Sequence, residues 1–400
     1  IYFHYLRSRN TDKKICQFLN MPNVIKAKFD EEKNLIKTLA DRHDPESERI
    51  KRYLAMPDLS RTPGSPINEL AERIVNLPDF KDFEIVEAPE IVSADVSFNL
   101  FNFPLDHPAR SKSDTYFIND GHILRTHTTI MWYYYLKNSK INDQISKLKP
   151  VGSLSYGKVY RRDEIDRQHM NVFHQMDGWY LIPRAQKIIT IKDLQDVLIK
   201  IAQAIYGKNI EYRFNEDQFP YTDPSIEMEI KIGERWIEVL GSGVVRGIVL
   251  KNLGVDPEIY NGWAFGFGLE RLALLSMELP DIRLLWSNDE RVKRQLKLGN
   301  KFKEVSKYPP IVRDVSFIVA NDFVPNDYFD LIRDLGGDLV EEVQLLDKYE
   351  NPEKFGAGKT SYTYRIIYRS TDRTLTNEEV DVLNNRVYAQ TANQFGAELR

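Results

Sequence analysis

The most constraining feature of this sequence is a pair of apolar, strand-like runs joined by a long polar segment. The runs span 157–161 and 173–181, and the residues between them are mostly charged or polar. Neighbouring strands with a polar connection commonly pair antiparallel, so we expect a β-hairpin with a long loop. A salt-bridged hairpin without any chemical role would show the same pattern, so this segment alone leaves both interpretations open.

Short runs that alternate apolar and polar residues recur from residue 83 to about residue 286. Besides the hairpin they cover 84–88, 227–232 and 235–240, and helical stretches at 128–139 and 191–206 interrupt them. Such alternation is typical of antiparallel strands with one covered face. The sequence therefore predicts an α+β fold with an antiparallel sheet flanked by helices.

The C-terminal part of the chain shows a second, compact pattern. Its segments follow in the order β-α-β-β-α-β, which is that of a ferredoxin-like module. Thr376 and Glu379 carry the signature of a capping box, and Gly336 with Gly337 is suited to end the preceding helix. We therefore expect a separate domain at residues 307–400.

Changes of composition predict the other boundaries. We expect a mostly helical N-terminal extension at 1–80, the sheet domain at 81–289 and a linker at 290–306. The linker region is basic, with Arg291, Lys293, Arg294, Lys297, Lys301, Lys303 and Lys307 against Glu290 and Glu304. Such a run is usually a solvated connector, and contact with a phosphate backbone is the alternative.

Composition limits the class of protein. The formal net charge of -4 gives no general attraction to nucleic acid, although a local basic surface would be enough to bind one. Cys16 is the only cysteine, which excludes an internal disulfide and favours a reducing compartment. No apolar run is long enough to cross a bilayer. The basic start of the chain (Arg7, Arg9, Lys13 and Lys14 against Asp12) suits an organelle transit peptide or an ordinary frayed terminus.

A glycine-rich strand at 262–268 runs directly into a helix. Small residues at alternate positions leave room for a ligand to lie flat on the strand. Arg271, in the first turn of the helix, can reach back toward a phosphate. The spacing of the glycines differs from the dinucleotide-binding fingerprint, so the string by itself is a weak signal.

The hairpin carries side chains suited to a polar ligand. Arg161 can meet a phosphate with two parallel hydrogen bonds, and Phe173 can stack on a purine ring. Gln175 and Asp177 lie two apart on one strand, so both can face one small ligand.

Two further pairs have structural alternatives. His127 and Thr129 lie at a strand-to-helix junction, where neighbouring threonines could simply cap the helix. Phe219 and Tyr221 project the same way from a proline-stiffened segment and suit a flat apolar ligand, or form an ordinary core pair.

Together these segments resemble the class II aminoacyl-tRNA synthetases, and within them the phenylalanyl-tRNA synthetases. Residues 84–90 are similar to motif 1, 160–177 to motif 2 and 262–271 to motif 3. The stretches 106–110, 125–128, 173–175 and 219–221 are similar to segments particular to the phenylalanine enzymes. The resemblance runs from about residue 59 to the C-terminus.

The resemblance implies ATP as a substrate and Mg²⁺ as its partner ion. It places Arg161 on the α-phosphate, Arg271 on the γ-phosphate and Phe173 on the adenine ring. It also implies that Asp163 and His169 contribute to the ATP site, and class analogy makes Glu238 a Mg²⁺ ligand. Chemistry of this kind relies on positioning and charge neutralisation, so no catalytic base is expected.

The resemblance implies L-phenylalanine as the second substrate. His127, Thr129, Gln175 and Asp177 would hold its ammonium and carboxylate groups. The phenyl pocket would be lined by Phe219 and Tyr221 with Ala264 as its floor.

The C-terminal module is similar to the ferredoxin-fold anticodon-binding domain, and its fusion to motif 3 in one chain is similar to the organellar enzymes. The resemblance therefore implies tRNA(Phe) as partner, a monomer without a separate large subunit, and the mitochondrial matrix, with plastid or cytoplasm as alternatives.

Some residues depart from the family pattern. Asp177 stands where glutamate is more usual, Tyr221 replaces phenylalanine, and the stretch 98–101 is altered. Two other functions are possible on sequence grounds. A binding protein that has lost catalysis would typically lack Arg161 or Arg271, and both are present. The small subunit of a two-subunit enzyme would lack the fused C-terminal module.

Overall fold

The computed structural model describes residues 23–28, 31–304, 308–370 and 372–400. Cys16 and the basic start of the chain, on which the transit-peptide interpretation rests, lie outside the described residues, as does Lys307. No described helix is long and apolar enough to span a membrane.

The strands and helices of the described residues are numbered in chain order. The strands are β1 (Val24–Lys26), β2 (Glu84–Glu87), β3 (Ile91–Ser93), β4 (Phe117–Asn119), β5 (His122–Leu124), β6 (Val151–Tyr160), β7 (Val172–Pro183), β8 (Tyr212–Phe219), β9 (Thr222–Ile232), β10 (Arg235–Val245), β11 (Tyr260–Gly268), β12 (Ile311–Ala320), β13 (Val340–Glu350), β14 (Lys359–Tyr368) and β15 (Glu398–Leu399). The helices are α1 (Glu32–Ala40), α2 (Pro45–Ala55), α3 (Pro66–Val75), α4 (Met131–Leu136), α5 (Ser139–Ser146), α6 (Ile191–Tyr206), α7 (Gly247–Asn252), α8 (Leu269–Met277), α9 (Glu290–Lys293), α10 (Pro325–Gly336), α11 (Pro352–Phe355) and α12 (Asn377–Phe395).

Within the described residues, eight strands form the main sheet in the order β1-β2-β6-β7-β11-β10-β9-β8. The predicted hairpin is confirmed, because β6 and β7 pair antiparallel from Val151↔Leu181 to Tyr160↔Val172. The sheet is mixed rather than wholly antiparallel, since β2 runs parallel to both β1 and β6. A small second sheet joins β3, β5 and β4.

The two faces of the main sheet are covered differently. Helices α3, α6 and α8 pack on one face, where Leu70, Leu198 and Leu272 are buried in a common core. On the other face, Trp132 of α4 packs with Trp179 and Ala264 of the sheet. Alternate residues of β7 and β11 therefore face either the three-helix core or the opposite layer, where the candidate site lies.

The predicted helix at 128–139 is shorter than expected. A 3₁₀ turn, Thr128–Ile130, leads into α4, which ends at Leu136. Asn138 then begins a new helix, because its side chain accepts a hydrogen bond from the Lys140 N–H. Asparagine competes for backbone groups in this way and so favours a cap over a helix interior.

The C-terminal domain has the predicted ferredoxin-like architecture. Its strands are ordered β13-β14-β12-β15, and α10 and α12 pack against one another and against the sheet. The capping box at Thr376 is present, with both reciprocal hydrogen bonds to Glu379. This match confirms the fold prediction for the domain, while the exact domain boundaries stay predictions.

The C-terminal domain lies against the loop of the β6–β7 hairpin. Ile165 of this loop is buried in the hydrophobic core of the C-terminal domain, and its carbonyl accepts a 2.9 Å hydrogen bond from the Val343 N–H. Asp330 of α10, which has no solvent exposure, faces Arg49 of α2 at 3.1 Å and Arg162 of the hairpin at 3.8 Å. The C-terminal domain thus covers part of the hairpin loop of the sheet domain.

Candidate active site

A cavity of about 360 Å³ opens between the hairpin loop and strands β7, β10 and β11. All residues predicted to form the ATP and Mg²⁺ sites line it: Arg161, Asp163, His169, Phe173, Glu238 and Arg271. Gln175, predicted for the amino acid, lines it too. These residues come from separate parts of the chain, so their convergence is a property of the fold.

Arg161 is an exposed cation that lines this cavity and has no nearby counter-ion among the described residues. Its Nε donates a 3.0 Å hydrogen bond to the Thr126 carbonyl, and its guanidinium lies 5.1 Å from the ring centroid of Phe173. None of the described carboxylates lies within 4.0 Å of it. Desolvation by the surrounding protein lowers the pKa of Arg161, yet arginine remains charged in proteins. A cation that faces a cavity and has no carboxylate partner is suited to bind an anion such as phosphate.

Arg271 and Glu238 lie next to each other on the side of the cavity opposite Arg161. The Arg271 Nη1 is 3.8 Å from the Glu238 carboxylate, and both side chains are half exposed. Partial burial raises the pKa of Glu238, and the neighbouring Arg271 opposes this shift. No group of three potential metal ligands occurs among the described residues. Glu238 nevertheless offers a half-exposed carboxylate at the cavity, which is the kind of oxygen ligand that Mg²⁺ accepts.

His169 lies in the hairpin loop and carries a partner carboxylate. Its Nδ1 is 2.8 Å from an Asp166 carboxylate oxygen. This hydrogen bond raises the pKa of His169, against a smaller effect of burial. The imidazole is therefore more easily protonated, which favours contact with phosphate oxygens.

Asp177 is buried at the inner end of the site. Its carboxylate accepts hydrogen bonds from the hydroxyls of Thr128 and Thr129, the second at 2.6 Å. Burial raises the pKa of Asp177 to about 6, although both hydroxyls and Arg161 oppose the shift. The opposing residue must be small, because a Cβ added to Gly266 would lie 2.9 Å from the Asp177 Oδ1. Thr129 and Asp177, both predicted to bind the amino acid, are thus in direct contact with one another.

Several polar atoms near Asp177 are buried without a hydrogen-bond partner. They include His127 Nδ1, Gln175 Oε1, Ser97 Oγ and Thr126 Oγ1. His127 Nε2 lies 3.2 Å from the Ser97 carbonyl, which can only accept, so Nε2 carries the proton and Nδ1 is left as an acceptor. Burial lowers the pKa of His127 to about 3, so the ring is neutral. Clustered unpaired acceptors of this kind suit a ligand with several donors, such as an ammonium group.

Next to these acceptors lies a set of packed rings, here called the aromatic pocket, whose residues do not line the 360 Å³ cavity. The rings of Phe219 and Tyr221 are parallel, with centroids 5.9 Å apart, and Tyr221 meets Trp132 edge to face at 6.2 Å. Ala264 is buried in the same hydrophobic cluster. Phe103, at 6.1 Å from Tyr221, closes another side. Burial, and secondarily Asp177, raise the pKa of Tyr221, which indicates that its hydroxyl faces the polar end of the pocket.

The altered stretch 98–101 contributes to this pocket. Phe101 is fully buried and meets both Trp132, at 5.4 Å, and His127, at 6.0 Å, edge to face. The sequence did not reveal the roles of Ser97, Phe103 or Trp132. Their aromatic or hydroxyl character was visible, but only the tertiary fold brings them next to His127 and Tyr221.

His174 is a further residue that the sequence did not single out. It follows Phe173 but points to the opposite face of β7, where its Nδ1 is 2.6 Å from Glu270 and its Nε2 accepts a 2.9 Å bond from the Leu59 N–H. The His174 N–H also donates to both Glu270 oxygens. Because Glu270 directly precedes Arg271, this buried link fixes the hairpin relative to the helix that carries Arg271.

The fold and cavity are those of a nucleotide-dependent synthetase core, and comparison with protein families agrees. Residues 54–296 match the family described as tRNA synthetases class II core domain (F). Residues 306–400 match the ferredoxin-fold anticodon binding domain. The chain is therefore a class II aminoacyl-tRNA synthetase by its core and its C-terminal domain.

Individual relatives narrow the family. The chloroplastic/mitochondrial phenylalanine–tRNA ligase of Arabidopsis thaliana is 38% identical over 332 residues, which cover 80% of this chain and 73% of the relative. The mitochondrial phenylalanine–tRNA ligase of Mus musculus is 36% identical, over 78% of this chain and 74% of the relative. The alpha subunit of the Caldicellulosiruptor bescii enzyme, at 39% identity, matches 58% of this chain and 66% of the relative. The chain belongs to the phenylalanine–tRNA ligase family.

Proposed function

We propose that this chain activates L-phenylalanine with ATP and transfers it from the adenylate to tRNA(Phe). The observation that carries this proposal is Arg161, a cation that lines a nucleotide-sized cavity beside Phe173 and has no carboxylate of the described residues within 4.0 Å. Such a cation would neutralise the α-phosphate while the amino-acid carboxylate attacks it in line and pyrophosphate leaves.

The ATP end of the cavity would use four further side chains. Phe173 would stack on adenine, and Arg271 would hold the γ-phosphate from the start of α8. His169 and Asp163, on the hairpin loop, would position the phosphates. Glu238 would supply a carboxylate ligand to Mg²⁺, which bridges phosphate oxygens and offsets their charge when bound.

The amino-acid part of the site would recognise both the polar groups and the phenyl ring of phenylalanine. Asp177 would attract the ammonium group, with Gln175 and the neutral His127 as hydrogen-bonding partners. Thr129 would act partly through Asp177, which it already contacts. The rings of Phe219 and Tyr221 would flank the phenyl group, with Ala264 beneath it.

The partner and location follow from the relatives and the C-terminal domain. We propose that the ferredoxin-fold domain binds the anticodon part of tRNA(Phe), and that the chain works as a monomer. Both organellar relatives match most of the chain, and residues 306–400 of the chain match the anticodon-binding family. We therefore propose an organelle as its location, specifically the mitochondrial matrix.

Pyrophosphate exchange into ATP by the purified chain tests the proposal. With each of the twenty amino acids supplied in turn, we expect exchange with phenylalanine and only background exchange with the others. No exchange by a folded sample would favour a binding protein without catalysis. Activity that appears only after a second subunit is added would favour the two-subunit alternative, which gel filtration would distinguish independently.

The protonation state of the Asp177 carboxyl group predicts how phenylalanine binding depends on pH. Below its pKa of about 6 the carboxyl group is protonated, so it no longer attracts the substrate ammonium. The KM for phenylalanine in the exchange reaction is therefore expected to rise as the pH falls through 6, approaching tenfold per unit at lower pH. The variant Asp177→Asn should bind phenylalanine weakly and lose this dependence. A KM that stays constant from about pH 7.5 to about 5 would contradict the role of Asp177.

A further inference from the structure

The residues 291–303, here called the basic segment, carry cations without a single acidic side chain. The whole chain has a formal net charge of -4, so this concentration of positive charge is local. Its cations are Arg291, Lys293, Arg294, Lys297, Lys301 and Lys303, and all are exposed. The charge alone fits both a solvated connector and an anion-binding surface.

The basic segment is anchored to the synthetase core rather than suspended between domains. Val292 and Leu296 are buried in the core that also contains α3, α6 and α8. The Phe302 N–H donates a 2.8 Å hydrogen bond to the Met277 carbonyl, and the Gly299 N–H donates a 3.0 Å bond to the Ser276 hydroxyl. Both contacts attach the segment to the C-terminal end of α8. A connector whose only role is to span a distance does not require such anchoring.

The basic segment is also closed upon itself. The Gln295 side chain donates to the Lys303 carbonyl at 3.1 Å and accepts from the Lys303 N–H at 2.8 Å. This pair of bonds holds the two ends of the loop together and fixes where its exposed side chains emerge. A surface ordered in advance loses less conformational entropy when it binds a partner.

Half of the cations have partners and half do not. Arg291, Lys293 and Lys301 form ion pairs with Asp289, Glu290 and Glu278. Arg294, Lys297 and Lys303 have no carboxylate of the described residues within 4.0 Å. Three positive charges on one ordered loop are therefore available to a polyanion.

The position of the basic segment indicates which kind of polyanion binds it. The segment joins the synthetase core to the C-terminal domain, and Val292 and Phe302 meet Arg369 of that domain in one cavity of about 560 Å³. The cavity marks the seam and is lined by acids as well as arginines, so the polyanion would bind on the outer surface of the segment, where the three free cations are exposed. A tRNA that receives an amino acid at one end from the core and is held at its anticodon end by the C-terminal domain must extend along both domains. We infer that the basic segment is a docking surface for the sugar–phosphate backbone of tRNA, an inference that rests on the proposed function.

The test compares two full-length variants that lose the same charge. One combines Arg294→Gln, Lys297→Gln and Lys303→Gln. The control combines Lys140→Gln, Lys147→Gln and Lys149→Gln, which are exposed on and after α5, at the end of the hairpin away from its loop. Measurements are pyrophosphate exchange, the KM for tRNA in aminoacylation, and the dissociation constant for tRNA as a function of salt.

We expect normal exchange from both variants, because exchange does not need tRNA. The basic-segment variant should raise the KM for tRNA about tenfold near physiological salt. Its plot of log affinity against log salt should lose roughly two to three units of slope, close to one for each phosphate contact removed. The control should change neither quantity.

Three outcomes would overturn the inference while leaving the proposed function intact. The first is normal exchange with an unchanged KM and salt slope in the basic-segment variant. The second is an equal loss in the control, which would mean that only total charge matters. The third is binding of polyglutamate as tight as that of tRNA and equally dependent on the three cations, which would indicate an acidic protein as occupant. Absence of exchange in the unaltered chain would instead refute the proposed function.

Discussion

Replacement of Arg161 by alanine is expected to lower the rate of phenylalanine-dependent pyrophosphate exchange by about 10³-fold. The guanidinium faces the cavity and is held by its Nε on the Thr126 carbonyl, so its remaining N–H groups can meet the α-phosphate in a fixed orientation. Because the charge on this phosphate changes during the attack, the interaction stabilises the transition state more than bound ATP. The loss should therefore appear in kcat, with a smaller change in the KM for ATP.

Two variants make this result specific. Arg161→Lys keeps the charge but not the planar fork, and we expect it to recover only part of the lost rate. Arg184→Ala removes an exposed arginine just after the far end of β7 and should leave exchange unchanged. Near-normal exchange by a folded Arg161→Ala protein would show that another residue neutralises the phosphate.

Replacement of Asp330 by alanine is expected to cause the largest loss of stability, about 3–5 kcal/mol. Asp330 is fully buried and lies within 4.0 Å of Arg49, Arg162 and Arg333. It also accepts hydrogen bonds from the Tyr116 hydroxyl at 3.0 Å and the Asn171 amide at 3.2 Å. Its removal leaves buried arginines without their shared counter-ion, and such uncompensated charges are costly. Calorimetric unfolding of the full chain would measure the effect.

A neighbouring acid provides the control for Asp330. Asp334 also pairs with Arg49, at 2.9 Å, but its side chain is partly exposed, so Asp334→Ala should cost much less. Both variants retain all groups of the ATP cavity. If Asp330→Ala and Asp334→Ala lowered the unfolding temperature equally, the buried position of Asp330 would not be the source of its contribution.

Local sequence patterns were sufficient where local forces decide the structure. Helix α6 has the predicted bounds, Ile191–Tyr206, because Leu194, Leu198 and Ile201 form one apolar face and a capping box at Thr190 fixes the start. The order of strands and helices in the C-terminal domain was also predicted correctly from the sequence. Each of these features depends on residues within a few positions of one another.

Strand lengths and sheet composition were less predictable. The hairpin strand β6 begins at Val151, six residues before the predicted start, because its pairing with β7 continues beyond the alternating run. The three-residue strand β1 has no sequence signal, yet its parallel pairing with β2 makes the sheet mixed. Pairing across the sheet is set by tertiary contacts, which a linear pattern does not contain.

The candidate site shows the same division. The resemblance identified Arg161, Phe173 and Arg271, and the fold places all three on one cavity. The residues assigned to the substrate remain proposals in their detailed roles. Trp132 and His174 were missed, because a tryptophan or histidine is most often an ordinary core residue, and the sequence does not show that Trp132 packs on Tyr221 or that His174 meets Glu270.

The main sheet is open and therefore has two edge strands. These edges affect whether the protein aggregates at high concentration. An exposed strand edge can pair with strands of other molecules and start aggregation. Within the described residues, β1 covers the edge of β2 and is only three residues long. At the other end, β8 carries Arg213, Glu216 and Asp217, and its pairing with β9 is irregular between Asp217 and Phe219. Short, charged or irregular edges resist strand addition, so this sheet resists edge-to-edge aggregation in a crowded compartment.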